Sequence, residues 1–439
     1  MINLQFLNDI FSRKRLSYFF IFCIITGLFS SDIFRALPSI GIAGLFLSVL
    51  KPLSFKQQWR NFITNKAFVA LSLIPLLHLL YFFSTAEPNF DYYWHRLALR
   101  LPFFILPFSL ANIAPIPKKV YFSFFYYFFM LLSATAIYST INYFINAEHI
   151  NEMYLRSKIM PLIVNHVPYS LMVTFGVFCG LILYAKKFYL LHKAERIVLL
   201  VLTIFLLFFL HLLSVRSGLG TFYVSLFLAI IIYIYKRKKY LVGSAIILAT
   251  ILIPLICYFS MPPFENKVKN TLQDVTNFRS EYSANHHSLT GRLYSYKVGW
   301  ELFQENPIFG VGPGNLKNEV DIQYIKSYMS IKPNKRLLPH NQYLHNLVSL
   351  GIVGFVILYA AFYFPLFHKS NWEKDVFLLI HYLIISLSFM VEGTLETQLG
   401  VNFSIIFIVL PLSYINSQRR MKGHSVNDNM LAKQNDKQT

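Results

Sequence analysis

Apolar residues run for helix-long stretches along most of this chain, and the polar positions gather between those stretches. A helix needs roughly 20 apolar residues to cross the hydrocarbon of a bilayer, where it must satisfy its own backbone groups. Twelve runs reach or approach that length: 16–34, 38–50, 67–84, 97–113, 120–144, 166–185, 197–215, 218–235, 240–260, 343–367, 376–391 and 397–416. The second is short enough to be re-entrant or a tilted half-span. The pattern predicts an all-α integral membrane protein, a polytopic bundle of about 12 transmembrane helices with one long, mainly helical loop. It divides the chain into a nine-span region (1–260), the loop (261–340), a three-span region (341–416) and a polar tail (417–439) expected to be disordered.

Composition sharpens this reading. With 55% hydrophobic and 14% charged residues, the chain lacks the charge that covers a soluble domain, about a quarter of residues. A net charge of +20 would suggest nucleic acid if the cations formed a patch. Instead, 24 of the 40 basic residues flank alternate connections or lie in the tail, among them Lys14, Lys118, Lys186, Lys238 and Arg420. That bias predicts cytoplasmic termini and an extracytoplasmic 261–340 loop, and no nucleic-acid partner. The first run starts like a signal peptide but has no small-residue cleavage site, so it is expected to stay attached. Cys23, Cys179 and Cys257 lie inside apolar runs and read as buried thiols.

The long loop carries ten basic and seven acidic residues. Thr290 followed by Leu293, Tyr296, Trp300 and Phe303 predicts a capped amphipathic helix. Arg292 falls in its first turn, where the dipole disfavours a cation, and a bound anion would relieve that conflict; a solvated Arg is the alternative. Gly310, Gly312 and Gly314 lack the spacing and the lysine of nucleotide motifs, so tight turns are expected. The loop closes on His340 and Asn341 at the mouth of the tenth run. Arg216 ends the seventh run, at a depth where an unpaired guanidinium is costly, and is a candidate functional residue, with snorkelling the alternative. Glu392 and Glu396 would share a face if helix continued through them. Arg96 and Arg100, on the same side, suit a lipid phosphate or only a headgroup.

Together these elements resemble the O-antigen ligase and polymerase family of lipid-linked glycan transferases. The resemblance rests on Arg216-Ser217-Gly218, on Gly291-Arg292 followed by Trp300 and Gly310-Val311-Gly312-Pro313-Gly314-Asn315, and on His340-Asn341 spaced nine residues from Gly351 and two more from Gly354. It covers roughly residues 197–360. It implies a class C glycosyltransferase-like bundle in the bacterial inner membrane, with a periplasmic site and no cofactor or metal. The implied partners are an undecaprenyl-diphosphate glycan donor, a lipid A-core or other glycan acceptor, and membrane lipids, with the aromatic N-terminal runs forming a groove for the isoprenoid. It further implies that His340 is the general base, that Arg216 and Arg292 hold the diphosphate, that Glu392 orients His340 or the acceptor, and that Gly310, Gly312, Gly314 and Asn341 support the site. An O-antigen polymerase or protein O-oligosaccharyltransferase would share these motifs. From other classes, a flippase or transporter would show the same spans, and His286, His287, His340 and His345 suffice in number for zinc.

Overall fold

The computed structural model describes residues 13–30, 33–51, 54–84, 89–276 and 281–435. The chain forms α1 (Arg13–Gly27), α2 (Leu37–Val49), α3 (Phe55–Ile63), α4 (Lys66–Leu80), α5 (Phe90–Arg100), α6 (Pro102–Ala111), α7 (Lys118–Ile145), α8 (Ala147–Leu155) and α9 (His166–Ala185). It continues through α10 (Glu195–Leu213), α11 (Arg216–Arg237), α12 (Tyr240–Ser260), α13 (Pro262–Thr276), α14 (Ser288–Glu305), α15 (Leu316–Ser327), α16 (Gln342–Phe367), α17 (Val376–Phe389) and α18 (Gln398–Asn435). Among the described residues, α7, α9, α10, α11, α12, α16 and α18 are long and apolar enough to cross a membrane, and α3 with α4 would make an eighth span bent by 96°.

The architecture is therefore all-helical and polytopic, with seven or eight such helices where the apolar runs suggested twelve. The shortfall has local causes. The run at 97–113 divides into α5 and α6 at Pro102, whose missing amide cannot continue the helix. The first, second, third and eleventh runs form helices of only 15, 13, 15 and 14 described residues. The expected disordered tail continues α18 as helix as far as Asn435; once the spanning turns exist, each added residue propagates without a new nucleus.

Aromatic side chains build the centre of the bundle. Phe125 stacks on Phe377 with ring centroids 3.9 Å apart, and Phe128, Phe175, Phe403 and Phe407 close around them. By contrast, α12 buries only Gly243 and Cys257 and presents the rest of its surface outward. The 261–340 segment has its own small core of Val298, Leu302, Leu316, Val320, Tyr324 and Ile331, which joins the bundle at Val348 of α16.

A break in α16 seats this segment. Gly351 adopts φ 63° and ψ −175°, which interrupts the helix. Irregular backbone from the loop then occupies the freed groups: Val311 and Gly312 donate to the carbonyls of Val348 and Ser349 at 3.0 Å, and Ile352 donates to Pro307 at 2.9 Å. Gly310 faces Gly351 across this junction with φ 70°, and a Cβ on it would lie 2.5 Å from the Val348 carbonyl oxygen. Tyr81 of the turn after α4 donates to the Leu350 carbonyl.

Candidate active site

The sequence Arg216-Ser217-Gly218 follows a sharp reversal. Ser214, in the left-handed region at φ 53°, ends α10, and α11 starts two residues later with Arg216. Gly218 lets α11 press against α9: a Cβ there would meet Ser170 Cβ at 2.5 Å, and Thr174 donates to the Gly218 carbonyl at 3.0 Å. Arg216 is thus fixed at a helix N-terminus, where the dipole adds to its positive potential. Its Nε donates to Thr271 Oγ1 at 2.9 Å and its Nη2 to Asp274 Oδ2 at 2.8 Å. His287 Nδ1 donates to the other oxygen of Asp274 at 3.1 Å.

Arg292 enters from α14. His287 is the N-cap residue of that helix and Thr290 lies inside it, so Arg292 is its fifth residue and sits in the second turn. The buried face is Gly291, Ser295, Val298, Gly299 and Leu302, while Trp300 remains half exposed. Small residues share that face with Val298 and Leu302, and Gly299 lets it press on Pro339 and Leu344 at the start of α16. Arg292 donates through Nη2 to Glu392 Oε1, and through Nη1 to the Val391 carbonyl at 3.4 Å.

His340 lies on the other side of the same carboxylate. Its Nδ1 is 3.1 Å from Glu392 Oε2. An ionised carboxylate only accepts, so Nδ1 carries the proton and the free lone pair of a neutral ring is on Nε2. Tyr296 of α14 donates to the His340 carbonyl at 3.0 Å, and the His340 amide reaches Ser295 Oγ at 3.4 Å. Asn341 caps α16 by accepting from the Leu344 amide at 3.0 Å and ties it to the Met390 carbonyl, also at 3.0 Å. The His340 backbone is thereby held from α14, and its imidazole by Glu392 in the turn after α17.

Three cavities meet around Arg292. One of about 720 Å³ is bounded by Arg216, Lys267, Asn270, Asp274, His287, Ser288 and Arg292. A second, of about 790 Å³, is bounded by Arg35, His166, Arg292, His340, Glu392 and Gln398. A third, of about 390 Å³, joins Arg216 to Arg292 along an apolar wall of Leu289, Leu293 and Val391. Arg216, Arg292, His340 and Glu392 therefore converge on one region. Gly310, Gly312 and Gly314 serve it indirectly, through the docking of the loop on α16.

Other expectations are changed by the geometry. Glu392 and Glu396 do not share a face, because α17 ends before them and a short turn at Thr394–Glu396 separates them. Glu396 instead pairs with Arg96 at 2.8 Å, Arg100 at 2.5 Å and His345 at 3.3 Å. Burial pushes its carboxyl up, but these three neighbours outweigh that and hold it well below the usual carboxylate range. Arg96 and Arg100 are thus engaged by protein. The four histidines are also divided, with His287 on Asp274, His340 on Glu392, His345 on Glu396 and His286 against Tyr282. Among the described residues, no group of three or more His, Cys, Asp or Glu is placed to hold a metal ion.

Sequence reasoning missed Lys267, Thr271 and Asp274 of α13. Their spacing, i, i+4 and i+7, sets them on one helix face and was the available clue. Burial and then the neighbouring Arg216 lower the Lys267 ammonium to about 8, with Asp274 opposing and Arg292 adding to the effect.

Residues 199–359 match the family model described as O-antigen ligase. This segment is similar to the O-antigen ligase family. The matched segment contains Arg216, Lys267, Asp274, Arg292, His340 and the α16 break, whereas Glu392 is contributed from beyond it. An uncharacterized protein of Haemophilus influenzae is 28% identical over 204 residues, 45% of this chain and 46% of that protein. The chain thus matches about half the length of this curated relative.

Proposed function

We propose that this chain is an O-antigen ligase-type glycosyltransferase. It moves a glycan from undecaprenyl diphosphate to an acceptor sugar hydroxyl, such as one on lipid A-core, at the periplasmic face of the bacterial inner membrane. The observation that carries this reading is the chain of contacts Arg292–Glu392–His340 at the junction of the two larger cavities.

In this reading the donor diphosphate lies in the cavity of about 720 Å³, against Arg216, Arg292 and Lys267. A guanidinium has five donors in a planar fork suited to phosphate oxygens, so each arginine retains donors beyond those its carboxylate uses. The acceptor enters beside His340. Glu392 keeps the Nδ1 proton in place, and Nε2 takes the proton of the acceptor hydroxyl as its oxygen attacks the anomeric carbon. The bond from that carbon to the diphosphate oxygen breaks, and its electron pair leaves with the diphosphate into the cationic cavity. Glu392 stabilises the imidazolium until its proton passes to water. Attack opposite the leaving group inverts the anomeric centre without a covalent sugar on the enzyme and without a metal ion.

Reconstitution with undecaprenyl-diphosphate glycan and candidate acceptors tests this, comparing wild type with His340→Ala, Arg216→Ala and Arg292→Ala at matched expression. All three are expected to stay folded, and His340→Ala to lose about 10²- to 10⁴-fold in transfer rate. Near-normal transfer by His340→Ala would remove the general base, and a trapped glycosyl-enzyme would contradict inversion. Product analysis separates transfer to a core acceptor from polymerisation on the carrier lipid.

A further inference from the structure

A second basic pocket lies at the other end of α16. Beyond the Gly351 break that helix runs on to Phe367, about 24 Å at about 1.5 Å per residue, so its last turn lies most of a hydrocarbon layer away from the break. His340 stands before its first residue, and the pocket forms at its last. A cavity of about 170 Å³ there is lined by Lys66, His368, Lys369, Asn416, Arg419 and Arg420, and no carboxylate is among its lining residues. Gathering four permanent cations and a histidine this closely is repulsive unless an anion joins them. Of the two acids on the same connection, Asp375 is engaged by Tyr121 at 2.6 Å and by the Leu378 amide at 3.0 Å, and Glu373 is exposed and outside the pocket lining.

Two independent features point to the kind of anion. Lys66 opens α4, a 15-residue helix whose N-cap Asn65 makes no side-chain capping bond, so first-turn amides and the positive end of the dipole face the same pocket. The preceding helix, α3, meets α4 at 96°. It exposes Phe55, Trp59 and Ile63, with Lys56 and Arg60 among them. An amphipathic helix of that composition, turned across the bundle, suits the headgroup level of a bilayer.

We propose that this pocket binds the phosphate of an anionic phospholipid headgroup, with Lys66, Lys369, Arg419 and Arg420 as its cations. The site is separate from the transfer chemistry and lies on the end that the charge bias predicts to be cytoplasmic. Free phosphate offers the same oxygens, so the test must distinguish the two sources. The purified full-length chain is titrated in detergent with phosphatidylglycerol, phosphatidylcholine or inorganic phosphate, and binding is followed by native mass spectrometry and thermal shift.

Wild type is expected to retain phosphatidylglycerol and to be stabilised by it over the other two. Arg420→Gln should weaken that binding about fivefold, and Lys66→Gln/Lys369→Gln/Arg420→Gln on the order of a hundredfold. Arg419 is left intact because it holds Asn371 at 2.7 Å. The charge-matched Lys118→Gln/Lys119→Gln/Lys187→Gln variant lies outside the pocket and should bind as wild type does. Equal weakening by that control would overturn the site, as would equal stabilisation by inorganic phosphate. Should the pocket triple variant fail to fold, unchanged binding by Arg420→Gln alone is also decisive against it.

Discussion

Glu392 joins two residues with different tasks, accepting from Arg292 with one oxygen and from His340 with the other. Glu392→Gln keeps the shape and one accepting oxygen but removes the negative charge that steadies an imidazolium. Its kcat should fall by about 10²–10⁴-fold with a smaller change in donor KM, and an unchanged kcat would dismiss the positioning role. Lys267 gives a pH signature. Its folded-state value of about 8 lies below its ordinary 10.5, so between those pH values the unfolded chain binds more protons. This group's contribution to stability therefore rises with pH across that window. Donor binding should move the opposite way, since it needs the ammonium: donor KM is expected to rise as pH passes about 8. In Lys267→Arg, which stays charged, that rise should vanish; a KM profile identical to wild type would exclude Lys267 from the donor site.

At the scale of elements, the runs at 120–144, 166–185, 197–215, 218–235 and 240–260 were legible because each satisfies its backbone within itself and needs only composition to be read. The break at Gly351 was not, since its freed groups find partners about 40 residues upstream in a strap that the sequence marks only as glycine-rich turns. The split of Glu392 from Glu396 was hidden for the same reason: the turn between them is stabilised by Arg96 and Arg100, some 300 residues away. Of the site, Arg216 and Arg292 were marked by their own positions in the chain and the resemblance added the roles of these two and of His340, whereas Asp274 and Lys267 needed a helix register inside a loop. Gly351→Ala tests the strap. The new Cβ would lie 2.2 Å from the Ile308 carbonyl oxygen at a φ of +63°, adding about 1–3 kcal/mol of backbone strain before any displacement. A lower thermal midpoint and faster proteolysis near residues 307–312 are expected; wild-type values for both would show that the junction does not hold the loop.

The whole molecule has two basic ends with opposite electrostatic designs. Around His340 four arginines are paired with carboxylates, Arg216 with Asp274, Arg292 with Glu392, and Arg96 and Arg100 with Glu396. Around Arg420 the lining cations share a pocket without an acid. The first arrangement suits a site that must receive and release a multiply charged lipid diphosphate, because the protein's own carboxylates can take the guanidinium groups back when the anion departs. The second suits a resident headgroup. The proposed periplasmic transfer puts the first end outside, and the basic bias of the other end predicts that orientation. Single cysteines settle it in a background where Cys23, Cys179 and Cys257 are replaced. Glu305→Cys, on the exposed end of α14, should react with a membrane-impermeant maleimide in intact spheroplasts. Lys118→Cys, at the start of α7, should react only after lysis. Labelling in the reverse order would place His340 on the cytoplasmic side, and the proposed periplasmic transfer would fail with it.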